Sequence, residues 1–439
     1  MKRIPLYIYT FWLTLLCSCS VNKFIPEGAY LLDEVNIISD SKEVKSSQFS
    51  SYIRQNPNAK WFNWVKVPMH IYCISGKDSS KWVNRFFRQL GDQPEIYNEV
   101  IALKSRTEIE KAVQNMGYMR AKVDMVPRIK KNKLKLSYEI KTGRLYKVRH
   151  LAYDIDDLKI SDILEKDSAE SYLYEGMPFD VVVLDRERQR ITKLLQNHGY
   201  YRFHKDFLAY QADTARNTFV VDLTMKLLPY QRRKEDLPTP HKPYKIRNVN
   251  FLTEDNVTRF DNDFSRFDSL RYKGLNIYYK DHVYLRPDVL SDFNYIEPQT
   301  LYSEQAVQNT YASMGRLRAL KYTNVRFEEV MHNDSAQLDA HVLMTKSKDK
   351  SLAFEVEGTN SAGDWGAAAS MTFQHKNLFK GSETFTFKVR GAFEAITGLE
   401  DGYETDDYKE YGIESSLNFP SFMFPFLSSD FKKKIRATS

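Results

Sequence analysis

Ser382-Glu383-Thr384-Phe385-Thr386-Phe387-Lys388-Val389-Arg390-Gly391-Ala392-Phe393-Glu394 puts Phe385, Phe387, Val389 and Phe393 on one side of a period-two alternation. Thr384, Thr386, Lys388, Arg390 and Glu394 fall on the other side. Successive side chains of a strand point to opposite faces, so this is a two-faced β-strand. At about 10 residues, with an aromatic face opposite a charged one, it has the length and pattern of a strand that crosses an outer membrane in a barrel. Its neighbours repeat the pattern. Leu352, Phe354 and Val356 alternate with Ala353, Glu355 and Glu357; Ala367, Ala369, Met371 and Phe373 alternate with Ala368, Ser370, Thr372 and Gln374; Ile413, Ser415, Leu417 and Phe419 mark a fourth strand. Gly358–Gly366 reads as a turn between strands rather than a phosphate loop, because no helix follows it. Asn377–Glu383 is compact, whereas Gly398–Glu410 is long and carries Glu400, Asp401, Glu404, Asp406 and Asp407. Such barrels keep short turns on the periplasmic side and long loops outside. The first and third strands therefore run outward if the preceding chain lies in the periplasm.

Composition agrees with β-rich, aromatic-belted structure: aromatics are 14% of the 439 residues, led by 28 Tyr and 27 Phe. The formal charge of +7 comes from 64 basic residues interleaved with 57 acidic ones, with no long basic stripe, which excludes a nucleic-acid surface. A chain this long should hold several domains, since single cores stop growing at roughly 250–300 residues.

At the N terminus, Lys2 and Arg3 precede an apolar run from Ile4 to Leu16 and then Cys17-Ser18-Cys19-Ser20. The run is too short to span a bilayer and has the layout of a secretory signal. Cys73, in Ile-Tyr-Cys-Ile, reads as a small buried hydrophobe, so no disulfide framework is expected.

Between these ends, one supersecondary pattern recurs. Tyr146-Lys147-Val148-Arg149-His150 opens one copy and Tyr244-Lys245-Ile246-Arg247-Asn248 another, with Leu31–Ile37 a weaker third. Each copy holds an amphipathic helix ending at a glycine: Ile109, Ala112, Val113 and Met116 before Gly117-Tyr118; Ile191, Leu194 and Leu195 before Gly199-Tyr200; Ala306, Val307, Tyr311 and Met314 before Gly315-Arg316. Gly117, Gly199 and Gly315 are expected to be left-handed C-caps. Ser105 with Glu108, and Ser303 ahead of Glu304 and Gln305, are expected helix starts. An alternating strand closes each copy, at Leu134–Ile140, Phe219–Met225 and Leu338–Met344. The order strand, helix, helix, strand, strand makes each copy a small α+β unit. Lys60–Ser80 of the first copy fits no regular element.

This order and these motifs resemble POTRA domains, the periplasmic modules of the BamA/TamA superfamily of outer-membrane assembly proteins. Leu16-Cys17-Ser18-Cys19 resembles a lipobox with Cys19 as the lipidated residue. Glu357-Gly358-Thr359-Asn360-Ser361-Ala362-Gly363-Asp364 and Asn377-Leu378-Phe379-Lys380-Gly381 resemble the barrel opening of the TamA-like lipoproteins of Bacteroidetes, TamL. The expected fold is thus α+β: tandem β-α-α-β-β POTRA-like domains, then the first four or so antiparallel strands of an outer-membrane β-barrel. Boundaries are expected at 1–18 (signal), 19–28 (lipidated N terminus and linker), 29–143, 144–229, 230–243 (linker), 244–347 and 348–439 (incomplete barrel). Four strands cannot close, so the chain reads as a fragment whose last ninety residues pack poorly when expressed alone.

The resemblance implies a factor that helps insert or export outer-membrane proteins or lipids: a periplasmic arm that receives unfolded outer-membrane protein clients, a TamB-like periplasmic partner, contact with outer-membrane lipid, and a barrel whose first strand, with Leu352, Phe354 and Val356, offers an edge at a lateral gate. Ser20-Val21-Asn22-Lys23 has no acidic cluster, so the anchor is expected on the periplasmic leaflet. Catalytic signatures are missing: there is no Walker A run, no G-x-S-x-G and no H-E-x-x-H. His198 and His204 read as surface groups. Asp261–Arg266 starts like a calcium loop but places Arg266 where glycine is required. No enzyme, cofactor or metal is expected. A lipid-anchored periplasmic scaffold with a vestigial barrel and a secretion porin are the other readings.

Overall fold

The computed structural model describes residues 21–61, 65–214, 218–231, 237–254, 264–332, 335–361, 364–395, 408–420 and 431. Cys19, the signal segment, Asp261–Asp263 of the calcium-like loop and most of the acidic loop lie outside the described residues. The first repeat runs β1 (Leu31–Ser39), α1 (Val67–Ile74), α2 (Trp82–Leu90), α3 (Glu99–Asn115), β2 (Lys122–Lys130) and β3 (Lys133–Lys141). The second runs β4 (Lys147–Asp154), α4 (Leu158–Lys166), α5 (Val181–Asn197), β5 (Leu208–Asp213) and β6 (Val220–Leu227).

The third repeat runs β7 (Lys245–Glu254), β8 (Asp268–Tyr272), β9 (Leu275–Tyr279), α6 (Pro287–Asp292), α7 (Glu304–Met314), β10 (Leu320–His332) and β11 (Ser335–Lys346). Four longer strands follow: β12 (Lys350–Ser361), β13 (Asp364–His375), β14 (Thr384–Ala395) and β15 (Tyr408–Asn418). The chain falls into two compact units, residues 1–188 with 208–227, and 189–207 with 228–439.

In every repeat the closing strand lies between the other two, parallel to the opening strand and antiparallel to the penultimate one, giving the orders β1-β3-β2, β4-β6-β5 and β7-β11-β10. The closing strands carry the cores because their alternation matches the pleat. Leu134, Leu136, Tyr138 and Ile140 are buried against Ala102, Ile109 and Val113 of α3. Leu338, Ala340, Val342 and Met344 are buried with Val307 and Met314 of α7. Each large apolar side chain so buried contributes about 1.5–3 kcal/mol.

Three expectations need correction. Ser105 does not start a helix: α3 begins at Glu99, where the Asn98 side chain accepts from the Val100 and Ile101 amides at 3.0 and 3.3 Å. Ser105 is buried a turn and a half in, and its hydroxyl accepts from the Arg54 amide. Lys60–Ser80 does hold a helix, α1. Its sequence Val-Pro-Met-His-Ile-Tyr-Cys-Ile is apolar nearly all round, leaving no helical period to read, and it buries Met69 and Cys73 against Leu31. The strand over Gly358–Gly366 is also longer than its glycines suggest, for β12 reaches Ser361 and β13 starts at Asp364. The third repeat adds a hairpin, β8–β9, whose β9 pairs parallel with β7 and makes a five-stranded sheet.

Candidate functional site: repeat joints and a two-faced sheet

Each opening strand carries a register shift at one equivalent residue: Asp33, Arg149 and Arg247. Such a bulge re-aims a side chain. Arg149 forms a two-bond pair with Asp222 of β6, its Nε donating at 2.8 Å, and Arg247 does the same with Asp339 of β11 at 2.9 Å. Each arginine is held above its ordinary pKa by its hydrogen bond to the aspartate, and Asp222 is held below its own. The first repeat reverses the sign, with Asp33 bonded to Lys66 at 3.0 Å.

The glycine turns join one repeat to the next. The Gly117 carbonyl accepts from the amide of Tyr146, the first residue of the Tyr-Lys-Val-Arg string, at 2.9 Å; the Gly199 carbonyl accepts from the equivalent Tyr244 at 2.8 Å. Both glycines have positive φ, 97° and 99°. A Cβ on Gly117 would stand 2.9 Å from the Phe179 carbonyl oxygen, and one on Gly199 would stand 3.1 Å from Pro243 Cβ. Tyr244 lies against Tyr201, and its hydroxyl sits 3.3 Å from Glu329; burial, then the Glu329 charge, pushes its pKa to about 12. Two strings that look separate in the sequence are thus the halves of one joint. Gly315 departs from the expectation: it is the C-cap of α7, but with right-handed φ −62° and ψ −17°. Among the described residues no opening tyrosine docks on it, because the closing strand β11 leads into the four-stranded sheet rather than into another repeat.

Strands β12 to β15 form an open antiparallel sheet in chain order. Register sorts its faces, since residues paired across antiparallel strands share a side. Leu352, Phe373 and Phe387 form one row; Phe354, Met371, Val389 and Ile413 the next; Val356, Ala369, Gly391 and Tyr411 a third. The opposite face carries Ala353, Thr372, Lys388 and Glu414 in one row, Glu355, Ser370, Arg390 and Gly412 in the next and Glu357, Ala368, Ala392 and Glu410 in a third, with Lys388 and Arg390 each 3.9 Å, on a diagonal, from a β12 glutamate. The apolar rows are open: Phe354 is 71% exposed, Val356 84% and Ile413 77%. Among the described residues, β12 pairs on one side only, and so does β15. Leu352, Phe354 and Val356 therefore sit on an edge strand and project from its apolar face.

The turn Asn377–Glu383, between β13 and β14, is clamped to the third repeat. The Asn377 side-chain amide donates to the Tyr284 carbonyl at 2.9 Å, the Ala319 amide donates to Ser382 Oγ at 3.0 Å, and the Arg286 amide donates to the Lys380 carbonyl at 2.7 Å. Glu383, buried, accepts from the Phe379 and Gly381 amides at 3.2 and 2.9 Å and faces the Arg286 guanidinium at 3.6 Å. Lys380 and Ser382 take positive φ, 59° and 64°, a conformation costly for residues with a Cβ and held here by these bonds. Gly381 leaves no room for a side chain, since a Cβ would lie 2.2 Å from Glu383 Oε1. Nothing in the sequence marks Tyr284, Arg286 or Ala319 as partners of this turn; their separation along the chain hides them.

His198 and His204 are exposed, and His204 lies 3.1 Å from Asp206. Among the described residues no group of three His, Cys, Asp or Glu side chains could hold a metal ion. No family model matches the chain, and no curated protein matches it. Solved structures similar to it include the POTRA3-5 region of BamA from Haemophilus influenzae, at 12% identity over 73% of this chain and 99% of that one with TM-score 0.35. BamA from Haemophilus ducreyi lacking POTRA domains 1-3 matches at 12% identity over 63% of this chain and 48% of that one, TM-score 0.37. CdiB from Acinetobacter baumannii matches at 8% identity over 64% and 43%, TM-score 0.28. The chain thus spans less than half of the last two. At such scores the superpositions carry no functional weight, and the fold rests on the strand orders and registers above.

Proposed function

We propose that this chain is an outer-membrane assembly factor of the TamA-like lipoprotein kind. The observation that carries the reading is the two-faced sheet: four long antiparallel strands expose a continuous apolar face opposite a charged one, which suits lipid on one side and a wet lumen on the other. The POTRA-like repeats lie in the periplasm, and lipidated Cys19 holds their far end to the periplasmic leaflet. In each repeat a segment before the helix that closes at glycine already bonds to the start of the opening strand: Glu95–Tyr97 on β1, Gly176–Phe179 on β4 and Gln299–Tyr302 on β7. Among the described residues the outer edges of β2 and β5, and in the third repeat those of β10 and β8, are then left to take an unfolded client strand by backbone pairing. Strand β12 offers a similar edge at the lateral gate. Such pairing needs no catalytic group or cofactor, and a TamB-like protein delivers clients to the arm. The test is depletion of the protein followed by a census of outer-membrane proteins. A broad fall in their levels is expected; an unchanged census overturns the reading.

A further inference from the structure

Helix α2 is built inside out for a water-soluble surface. Its inward residues are largely polar: Asn84 Oδ1 accepts from the Gly76 amide at 2.8 Å, and Arg88 donates to the Gly76 and Lys77 carbonyls at 2.8 and 3.0 Å. Gly91 presses the helix end onto α1 so closely that a Cβ would meet the Tyr72 amide nitrogen at 2.3 Å. The outward residues are apolar. Trp82, Val83, Phe86 and Leu90 are 72%, 41%, 51% and 58% exposed and fall within about 100° of one another around the helix. Lys81 and Arg85 flank this stripe, both exposed, and α2 contains no acidic residue.

A soluble amphipathic helix turns its apolar stripe to the core and its polar face to water. Here the loop carbonyls fix the polar side inward, so the stripe cannot roll under without breaking the Asn84 and Arg88 bonds. An exposed stripe of Trp, Phe and Leu bordered by Lys and Arg has the composition of a helix lying in a membrane interface, with the rings below the headgroups and the cations among anionic phosphates. The chain end supplies a second observation. Phe24 packs edge-on against Tyr72 with ring centres 5.2 Å apart, and the Arg88 guanidinium stands over both rings at 5.8 and 5.7 Å. Phe24, five residues after Cys19, thus lies beside α1 and α2.

We infer that α2 is a second membrane contact of the first repeat: an in-plane helix seated on an anionic phospholipid surface next to the lipid anchor. The inference rests in part on the anchoring reading, because Cys19 sets where the bilayer lies, and it supplies what that reading lacks. A lipidated terminus fixes a point of attachment but not an orientation, and a neighbouring apolar and basic helix lying in the interface fixes the orientation of the repeat.

The test uses the full chain with Trp82 as its single tryptophan (Trp12→Phe, Trp61→Phe, Trp64→Phe, Trp365→Phe). It is reconstituted with vesicles of phosphatidylethanolamine and phosphatidylglycerol containing brominated phosphatidylcholine. Trp82 emission should shift to the blue and lose intensity, more with bromines near the headgroup than near the chain end, and Phe86→Asp should abolish both effects. A Trp82 open to aqueous iodide overturns the proposal. So does one shielded from iodide yet unquenched by bromine, which assigns the stripe to a protein segment. Labelled fatty-acid incorporation in the wild type and in Cys19→Ala reports the anchor separately, so either idea can fail alone.

Discussion

At the scale of single residues, the three helix-closing glycines share a place in the repeat but not a role. Gly117 and Gly199 need φ near +98° and zero side-chain volume, because the next repeat's first strand docks on their carbonyls. Gly315 needs neither. Gly199→Ala should therefore cost at least about 1 kcal/mol, from the left-handed backbone alone. It should also raise hydrogen exchange at the Tyr244 amide, which reports the joint directly. Gly315→Ala should change stability by less than about 0.5 kcal/mol, since alanine's helix preference offsets a modest contact with the Tyr311 carbonyl at 3.2 Å. Equal effects at the two sites would contradict the assignment of the joint. The sequence shows that a glycine follows each helix but not the handedness it adopts, because handedness is set by what packs on the turn. Ser105 shows the same limit: its spacing to Glu108 fits a cap, yet Asn98 occupies that role seven residues earlier.

At the scale of elements, legibility follows periodicity. The strands of the C-terminal sheet stand out in the sequence because one face is apolar and the other charged, and the paired rows from Leu352 to Ile413 reproduce that alternation in register. Helix α1 and hairpin β8–β9 give no such signal, for the first is apolar all round and β8 and β9 are only five residues long. Helix α2 has the helical period, but its polar side faces inward, so the period alone points to the wrong buried face. The clamp at Asn377–Glu383 is invisible for another reason, since its partners come from 284–286 and 319. The sheet yields a sharp expectation about its two faces. Phe354→Arg, at the middle of β12 on the apolar side, should cost about 2–4 kcal/mol of membrane insertion. Glu355→Gln, one residue on and facing the opposite side, should be tolerated. The fraction of chain resisting urea extraction from membranes reads both, and similar losses for the two would mean that the apolar face does not meet lipid.

At the scale of the whole molecule, three α+β repeats, each with an edge strand open among the described residues, precede a sheet whose first strand is an edge too. In the proposed function β12 offers that edge to incoming outer-membrane proteins. The most direct measurement places a photo-crosslinking amino acid at position 355 of β12 in the full chain, in cells, and identifies what it captures while outer-membrane proteins are being made. The proposed role of β12 predicts adducts with newly made outer-membrane proteins, lost when their synthesis is stopped; adducts with lipid alone, or a pattern indifferent to that synthesis, would contradict it.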